Sequence, residues 1–429
     1  MSRDIARVNQ YRQFKENVRR TKNYLVIGID IAKSSHYAFF GTPDGKTILR
    51  RFIFNNNVEG FEKLITMANS LCRQNGLDKM VFGIEPTGNF HKPLANYLVS
   101  NQYFIVMVTG KAVRNNRQLL DGRWDKNDVK DSANVADLIA QGKCQYYDQP
   151  DENMLDLKKL LSLRKRLKKT EQRLILSIRN SLITKYFPEF DAHSGVLKGI
   201  NLTIVEHFLN PVKIASMGFS EFCSRVTVNK ATLPQRRRLQ AIYDAAGRSI
   251  GCPVTSCAEL EAQILVEQLR NVRGQIDQIM CEIEEICQGI DNYHRLRSIP
   301  GFGPYIAALV LSVIGDPMRF QNRKQVIKLS GFDLNASRSG KNSREQIPII
   351  SKNGDGDLRF ALFQAAIIAS RFSEKFQKQY TRLVGRRVAE RGIKKKVRVK
   401  MASKLLIIAW TLMKNKEMFD VNKIVLSDA

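Results

Sequence analysis

The sequence predicts an α/β domain with a mixed sheet at its amino end, then long coiled-coil helices and a helical carboxyl-terminal domain. Three observations carry this. Tyr24-Leu-Val-Ile-Gly-Ile-Asp30 and Met80-Val-Phe-Gly-Ile-Glu85 read as buried strands. Leu160, Leu163, Leu167, Leu174, Ile178 and Leu182 form an apolar stripe at helical spacing. Leu265, Leu269, Val272, Ile276, Ile279, Ile283, Ile286 and Ile290 alternate steps of four and three, a heptad seam.

Residues 1–22 are polar and basic with no apolar stretch of the secretory kind. They read as an arm, helical or flexible, that touches nucleic-acid phosphate or solvent. After the strand ending at Asp30, the runs 36–40 and 47–54 flank Thr42-Pro-Asp-Gly45, a turn signal that makes them an antiparallel meander. From Val58 to Cys72, Phe61, Leu64, Ile65 and Ala68 keep a helical period. A strand to Glu85, a helix from about Asn89 to Val99 and a strand from Tyr103 to Val108 complete the pattern. Their order suits an RNase H-like sheet with helices on its faces, within a domain spanning 23–150.

A helical middle domain is expected over 151–292. Its first helix is basic on the faces away from the leucine stripe, with Lys158, Lys159, Arg164, Lys165, Arg166, Lys168, Lys169 and Arg173. The seam can be satisfied by that helix as an antiparallel hairpin or by a second copy of the chain, and periodicity does not choose between them. The final domain, 293–429, opens on Ile299-Pro300-Gly301-Phe302-Gly303-Pro304. Two glycines in a tight turn between helices let backbone N–H groups approach a phosphate, the helix-hairpin-helix pattern, so Gly301 and Gly303 are candidate nucleic-acid contacts. Near the end, Lys394, Lys395 and Lys396 open a basic run into an apolar helix and are candidate phosphate contacts.

The 429 residues hold 69 Lys and Arg against 41 Asp and Glu, a net charge of +28. Such an excess calls for a polyanion, and with no membrane-spanning run the expected one is nucleic acid. Seven cysteines without metal-site spacing read as reduced cytosolic thiols. No GxxxxGK[ST] phosphate loop is present, so no nucleotide cofactor is expected.

The chemistry sits in four carboxylates. Asp30 and Glu85 lie at strand tips, and Asp128 and Asp131 are three residues apart on a helix, hence on one face. Asp125 and Asp128 have the same spacing. Gathered acids repel unless a cation compensates them, and magnesium does so with oxygen ligands; two such ions about 4 Å apart serve phosphoryl transfer.

Ile27-Gly-Ile-Asp30-Ile-Ala-Lys33, Glu85-Pro-Thr-Gly88-Asn-Phe-His91 and Lys126-Asn-Asp128-Val-Lys-Asp131 resemble the RuvC-like, DEDD-type domain of insertion-sequence transposases related to the Piv invertase. Asn127 stands where the family usually has Thr, and Ser132 where it usually has Ala. The segment from Leu329 through Ser337-Arg338-Ser339-Gly340-Lys341 and Lys352 to Leu358 is similar to the carboxyl-terminal half of the same family. There a Ser before Gly is taken as the nucleophile that joins to DNA, which implies Ser339; Arg338 replaces the usual Gln, and Ser337 and Ser343 stay open. The resemblance implies Mg2+ on Asp30, Glu85, Asp128 and Asp131. It also implies a guide (bridge) RNA, target and donor DNA, and homo-oligomers, dimers with a tetramer in the synaptic complex, in a prokaryotic nucleoid. A serine needs a base or a stabilised alkoxide, and Arg338, Lys341, Arg344 and Lys352 supply positive charge nearby. The expected function is an RNA-guided DNA recombinase acting through a serine–DNA ester. The alternatives are a metal-only RuvC-type nuclease and a non-catalytic RNA-binding protein.

Overall fold

A computed structural model describes residues 3–121, 128–229, 231–335, 349–385 and 387–422. It divides into two compact units, Met1–Pro150 and Asp151–Ala429.

The first unit contains α1 (Arg3–Asn17), β1 (Tyr24–Asp30), β2 (Ser35–Gly41), β3 (Thr47–Asn55), α2 (Val58–Asn75), β4 (Lys79–Ile84), α3 (Lys92–Ser100), β5 (Ile105–Met107), α4 (Gly110–Asp121), α5 (Asp128–Ala140) and β6 (Gln145–Tyr146). The strands form one mixed sheet in the order β3-β2-β1-β4-β5-β6, with β1, β4 and β5 parallel. The first three strands are the expected meander, β1 antiparallel to β2 and β2 to β3. Alternation sorts the side chains of the parallel strands into two layers. Leu25, Ile27, Ile29, Phe82 and Ile84 pack with Leu64 and Ala68 of α2 and Leu94 and Leu98 of α3. Val26, Val81 and Val106 pack on the other face with Val135, Ala136 and Ile139 of α5 and Val113 of α4.

The segment expected as a basic arm, helical or flexible, forms helix α1, which docks on this second face. Val8, Phe14 and Val18 are buried, and Phe14 meets Phe104 edge-on at 5.2 Å. Arg7, Tyr11 and Arg19 donate to the carbonyls of Tyr147, Cys144 and Gln141. Val8 and Phe14 on the polar helix and Val18 just past its end suffice because each is buried, and a small stripe of this kind barely registers in composition.

The second unit begins with α6 (Glu152–Ser177), continued by a π-helical turn over Ile178–Ile183. Short helices α7 (Thr184–Tyr186), α8 (Pro188–Ser194), α9 (Ile200–His207), α10 (Pro211–Ala215), α11 (Phe219–Val226) and α12 (Leu233–Ala246) lead to α13 (Ser256–Gln288). Then come α14 (Asp291–Arg297), α15 (Pro304–Ile314), α16 (Arg323–Ser330), the two-stranded ribbon β7 (Leu334–Asn335) and β8 (Ile349–Ile350), α17 (Gly356–Phe372), α18 (Glu374–Gly385) and α19 (Ile393–Asn415).

The seam of α13 finds its partner within the chain. Leu157 and Leu161 share a core with Ile279 and Ile283, while Ile178 and Leu182 share another with Val266 and Leu269, so α6 and α13 run antiparallel. Between these cores Glu171 is 5% exposed and accepts from Arg273 Nε at 2.8 Å, with Lys168 as a second partner. Burial pushes the Glu171 carboxyl up, and the bonds from Arg273 and Lys168 outweigh it and hold the group below its usual range. The first core continues through Phe302, Val310, Leu362, Leu405 and Trp410, so the regions expected as separate middle and carboxyl-terminal domains share it. Among the described residues, no helix is long and apolar enough to cross a membrane.

Candidate active site

Asp30 and Glu85 fall at the carboxyl ends of neighbouring parallel strands. The register pairs Ile29 with Ile84, and the two acids follow directly. Each acid is preceded, two residues earlier, by a glycine, and Gly28 and Gly83 are register partners. A period of two puts the glycines and acids on the same face, the one that α5 covers. A Cβ on Gly28 would overlap the Ser132 carbonyl oxygen and lie 2.5 Å from the Ala136 nitrogen; one on Gly83 would overlap the end of Ile139. The two glycines therefore form a trough in which α5 lies directly on the backbone of β1. Residues 132 and 136 sit at Gly28, while the far end of α5 lies by the residues that lead into β1, where Arg19 donates to the Gln141 carbonyl and a Cβ on Gly142 would meet Val18. Helix and strand thus run in opposite directions, which points the first turn of α5 toward the strand end that bears Asp30.

The acids have different surroundings. The Glu85 carboxylate lies against the start of α4, where a Cβ on Gly110 would stand 2.8 Å from Oε1. A glycine is the residue that leaves this room, and the amino end of a helix favours a negative group. Asp131 is buried at 2% exposure and ion-paired with Arg117 of α4, Nε–H donating to Oδ1 at 2.9 Å and a second guanidinium nitrogen at 2.6 Å. Asp128 begins α5, with its side chain outside the described residues. Among the described residues, no group of three or more His, Cys, Asp or Glu side chains stands close enough to hold a metal. Asp30 and Glu85, with the room at Gly110, offer hard oxygen donors of the kind magnesium takes.

A polar ladder, which apolar periodicity could not reveal, joins α4 to α5. Asn116 donates to Asn134 Oδ1 at 2.8 Å and to Asp137 Oδ2 at 2.7 Å, Asn134 donates to the Val113 carbonyl at 2.7 Å, and Gln141 donates to Asp137 at 2.6 Å. The loops after the two acids are also tied. His36, fully buried on β2, accepts the Ala32 N–H at Nδ1. Burial pulls its imidazole below the usual range against an opposing bond to Asn56. Asn56 donates to the Lys33 carbonyl at 3.3 Å and to the Phe90 carbonyl at 3.5 Å, so one amide spans the loop after Asp30 and the loop after Glu85.

In the second unit, Ser339, Arg338 and Lys341 lie outside the described residues. The ends of their segment are fixed. Leu334 pairs with Ile350 and Asn335 with Ile349, and Ser351 Oγ donates to Asp333 at 2.6 Å. Arg359 of α17 donates to the carbonyls of Ser330, Lys352 and Gly354. Lys352 is exposed in a left-handed conformation, φ 56°. Gly301 has φ 89°, and a Cβ there would overlap the Ala365 carbonyl of α17, so its lack of a side chain serves helix packing; Gly303 faces open space. Lys394, Lys395 and Lys396 are exposed in the first turn of α19, with Lys396 also 2.5 Å from Glu390. Cations in a first turn oppose the helix dipole, a cost that an anionic partner removes.

Family models match both parts of the chain. A transposase model of the DEDD, IS110 type matches residues 27–188, and the model of the transposase IS116/IS110/IS902 family matches residues 293–381. The chain is 22% identical over 309 residues to the insertion element IS116 uncharacterized 44.8 kDa protein of Streptomyces clavuligerus, covering 71% of this chain and 75% of that protein. It is 23% identical over 346 residues to the insertion element IS110 uncharacterized 43.6 kDa protein of Streptomyces coelicolor, covering 79% and 82%. Over 162 residues it is 31% identical to the pilin gene-inverting protein of Moraxella lacunata, covering 35% of this chain and 48% of that one.

Proposed function

We propose that this chain, which belongs to the IS110/IS116 family of insertion-sequence transposases, cuts and rejoins DNA through a serine ester formed beside a carboxylate-bound metal, under the guidance of an RNA. What supports the reading is that Asp30 and Glu85 end neighbouring parallel strands in matched register, on the face that α5 covers closely at Gly28 and Gly83.

A DEDD transposase domain implies a divalent metal, typically Mg2+. Here Asp30, Glu85, Asp128 and Asp131 would hold it. Such an ion supplies charge compensation for a phosphate in displacement. Asp131 also keeps α4 and α5 together through Arg117, so any part it takes in holding metal is shared with that ion pair.

Ser339 Oγ would attack the phosphorus. One phosphorus–oxygen ester bond forms as another breaks, the hydroxyl proton is released, and the departing strand oxygen takes one up. The ester conserves the bond energy that rejoining needs. Because the acids and Ser339 belong to different units, the reading requires those units to meet, within one chain or between copies in a dimer or tetramer. Basic residues of α6, Lys352 and the lysines of α19 would hold phosphates of guide RNA, donor and target.

Asp30→Asn keeps shape and removes a charge. We expect it to lower metal-dependent DNA cleavage by about 10³-fold, the scale of losing one transition-state electrostatic partner. A cleavage assay with and without chelator checks this, and retained cleavage contradicts it. Asn56→Ala removes the tie between the acid-bearing loops. A stability loss of about 1 kcal/mol and an activity loss of about 10²-fold from misplaced acids are expected, read by thermal melts and the same assay.

A further inference from the structure

The loops that follow the two strand-end acids carry an aromatic ring and cations that the proposed chemistry does not use. Phe90 lies in the loop after Glu85 and is 41% exposed. Its backbone is fixed on both sides. Gly88, at φ 51°, bends the loop, and a Cβ there would lie 3.9 Å from the Phe90 ring. The Phe90 N–H donates to the Thr87 carbonyl at 3.3 Å, the Lys92 N–H to the Asn89 carbonyl at 3.1 Å, and Asn56, just past β3, donates to the Phe90 carbonyl at 3.5 Å. A phenyl ring held out on a fixed backbone presents a flat apolar face to whatever binds beside Glu85.

The cations supply an independent observation. Lys33, in the loop after Asp30, is brought beside Phe90 because the Asn56 amide donates to both carbonyls. Lys92 opens α3 two residues after Phe90. Across Glu85 in strand order, β5 leads into α4, whose residues Lys111 and Arg114 are three apart and share a face. All four side chains are exposed, and none has an ion-pair partner among the described residues. A ring flanked by cations is the arrangement that takes an unpaired nucleotide, with the base stacked on the ring and the neighbouring phosphates on the charges. A base inside a duplex is already stacked on both faces and offers the ring nothing without being extruded.

We propose that Phe90 stacks on an unpaired base of a nucleic-acid strand entering the acid site, while Lys33 and Lys92 hold the phosphates beside that base and Lys111 and Arg114 those further along. The proposal rests on the reading of the first unit as the place where a strand is cut, and it gives that site a preference for single strands over duplex. Stacking and point charges hold the strand without reading its sequence, because every base has a flat face.

The test uses the full chain in chelator, where no strand chemistry proceeds, with random-sequence single-stranded DNA, single-stranded RNA and duplex DNA. Phe90→Leu keeps the site apolar but removes the stacking face, so its affinity for a single strand should fall about tenfold while its affinity for duplex stays as in the unaltered chain. Lys33→Gln/Lys92→Gln should lose about 1.4 units from the slope of log K against log salt on single strands, since each phosphate contact contributes about 0.7 there. Phe90→Trp gives a local signal: its added emission, over the background of the two tryptophans already in the chain, should be quenched by a single strand and not by duplex. The single strand, DNA or RNA, that produces the loss and the quenching identifies the occupant. Unchanged single-strand affinity in Phe90→Leu overturns the site, as does an equal loss on duplex or Phe90→Trp emission that no single strand alters. A chain that binds as described yet never forms a DNA adduct would instead sink the catalytic reading and leave this site standing.

Discussion

Gly28→Val is expected to unfold the first unit or cost it about 3 kcal/mol or more, at the upper end of the penalty for overfilling a packed interior. The reason is what the new atoms would meet. A Cβ at this position enters the Ser132 carbonyl and stands 2.5 Å from the Ala136 nitrogen, both backbone atoms of α5. No side chain can rotate aside, so the helix must lift from the strand. Lifting it uncovers Val26, Val135 and Ile139 and breaks the enclosure of the second apolar layer. It also withdraws the first turn of α5 from the strand ends, so any folded fraction should be inactive. Gly83→Ala is the informative contrast, because the added atom meets the terminal carbons of Ile139, a flexible group. Combined with Ile139→Val, which removes the offending methyl, Gly83→Ala should recover much of its loss. Gly28→Val should gain nothing from the same partner. Denaturant melts of the three single variants, Gly28→Val, Gly83→Ala and Ile139→Val, and the two doubles give the coupling energies directly.

Much of this arrangement was legible in the residues. Buried parallel strands are continuous apolar runs, which is why β1 and β4 stood out and why their terminal acids could be picked. The Pro-Asp-Gly turn located the meander. What periodicity could not give was how these pieces meet. The trough depends on Gly28 and Gly83 being cross-strand partners, a fact of register, although the repeated Gly-Ile-acid ending of both strands was its trace in the sequence. Likewise Asn116, Asn134 and Asp137 are ordinary polar residues until two helices bring them within hydrogen-bond reach. The seam of α13 named a surface without naming what covers it. Glu171 and Arg273, a buried pair facing across α6 and α13, join the two helices between their apolar cores, and nothing in a heptad count marks them. Gly301 shows the reverse: a glycine that reads as a phosphate contact is required by the Ala365 carbonyl.

The central claim is that distant acids and one hydroxyl act on a single phosphorus. Ser339→Ala keeps the carboxylates and every described contact while removing the only oxygen that would enter the ester. We expect covalent protein–DNA product to vanish and joining to fall by about 10⁴-fold or more, the order seen when a covalent nucleophile is deleted. The same product should vanish in Asp128→Asn, because the ester needs both partners. Electrophoresis of the purified transposase incubated with labelled donor DNA and Mg2+, then denatured, reads this in one gel: a shifted band in the unaltered chain and none in Ser339→Ala or Asp128→Asn is the predicted result, and a shifted band that survives Ser339→Ala contradicts the account.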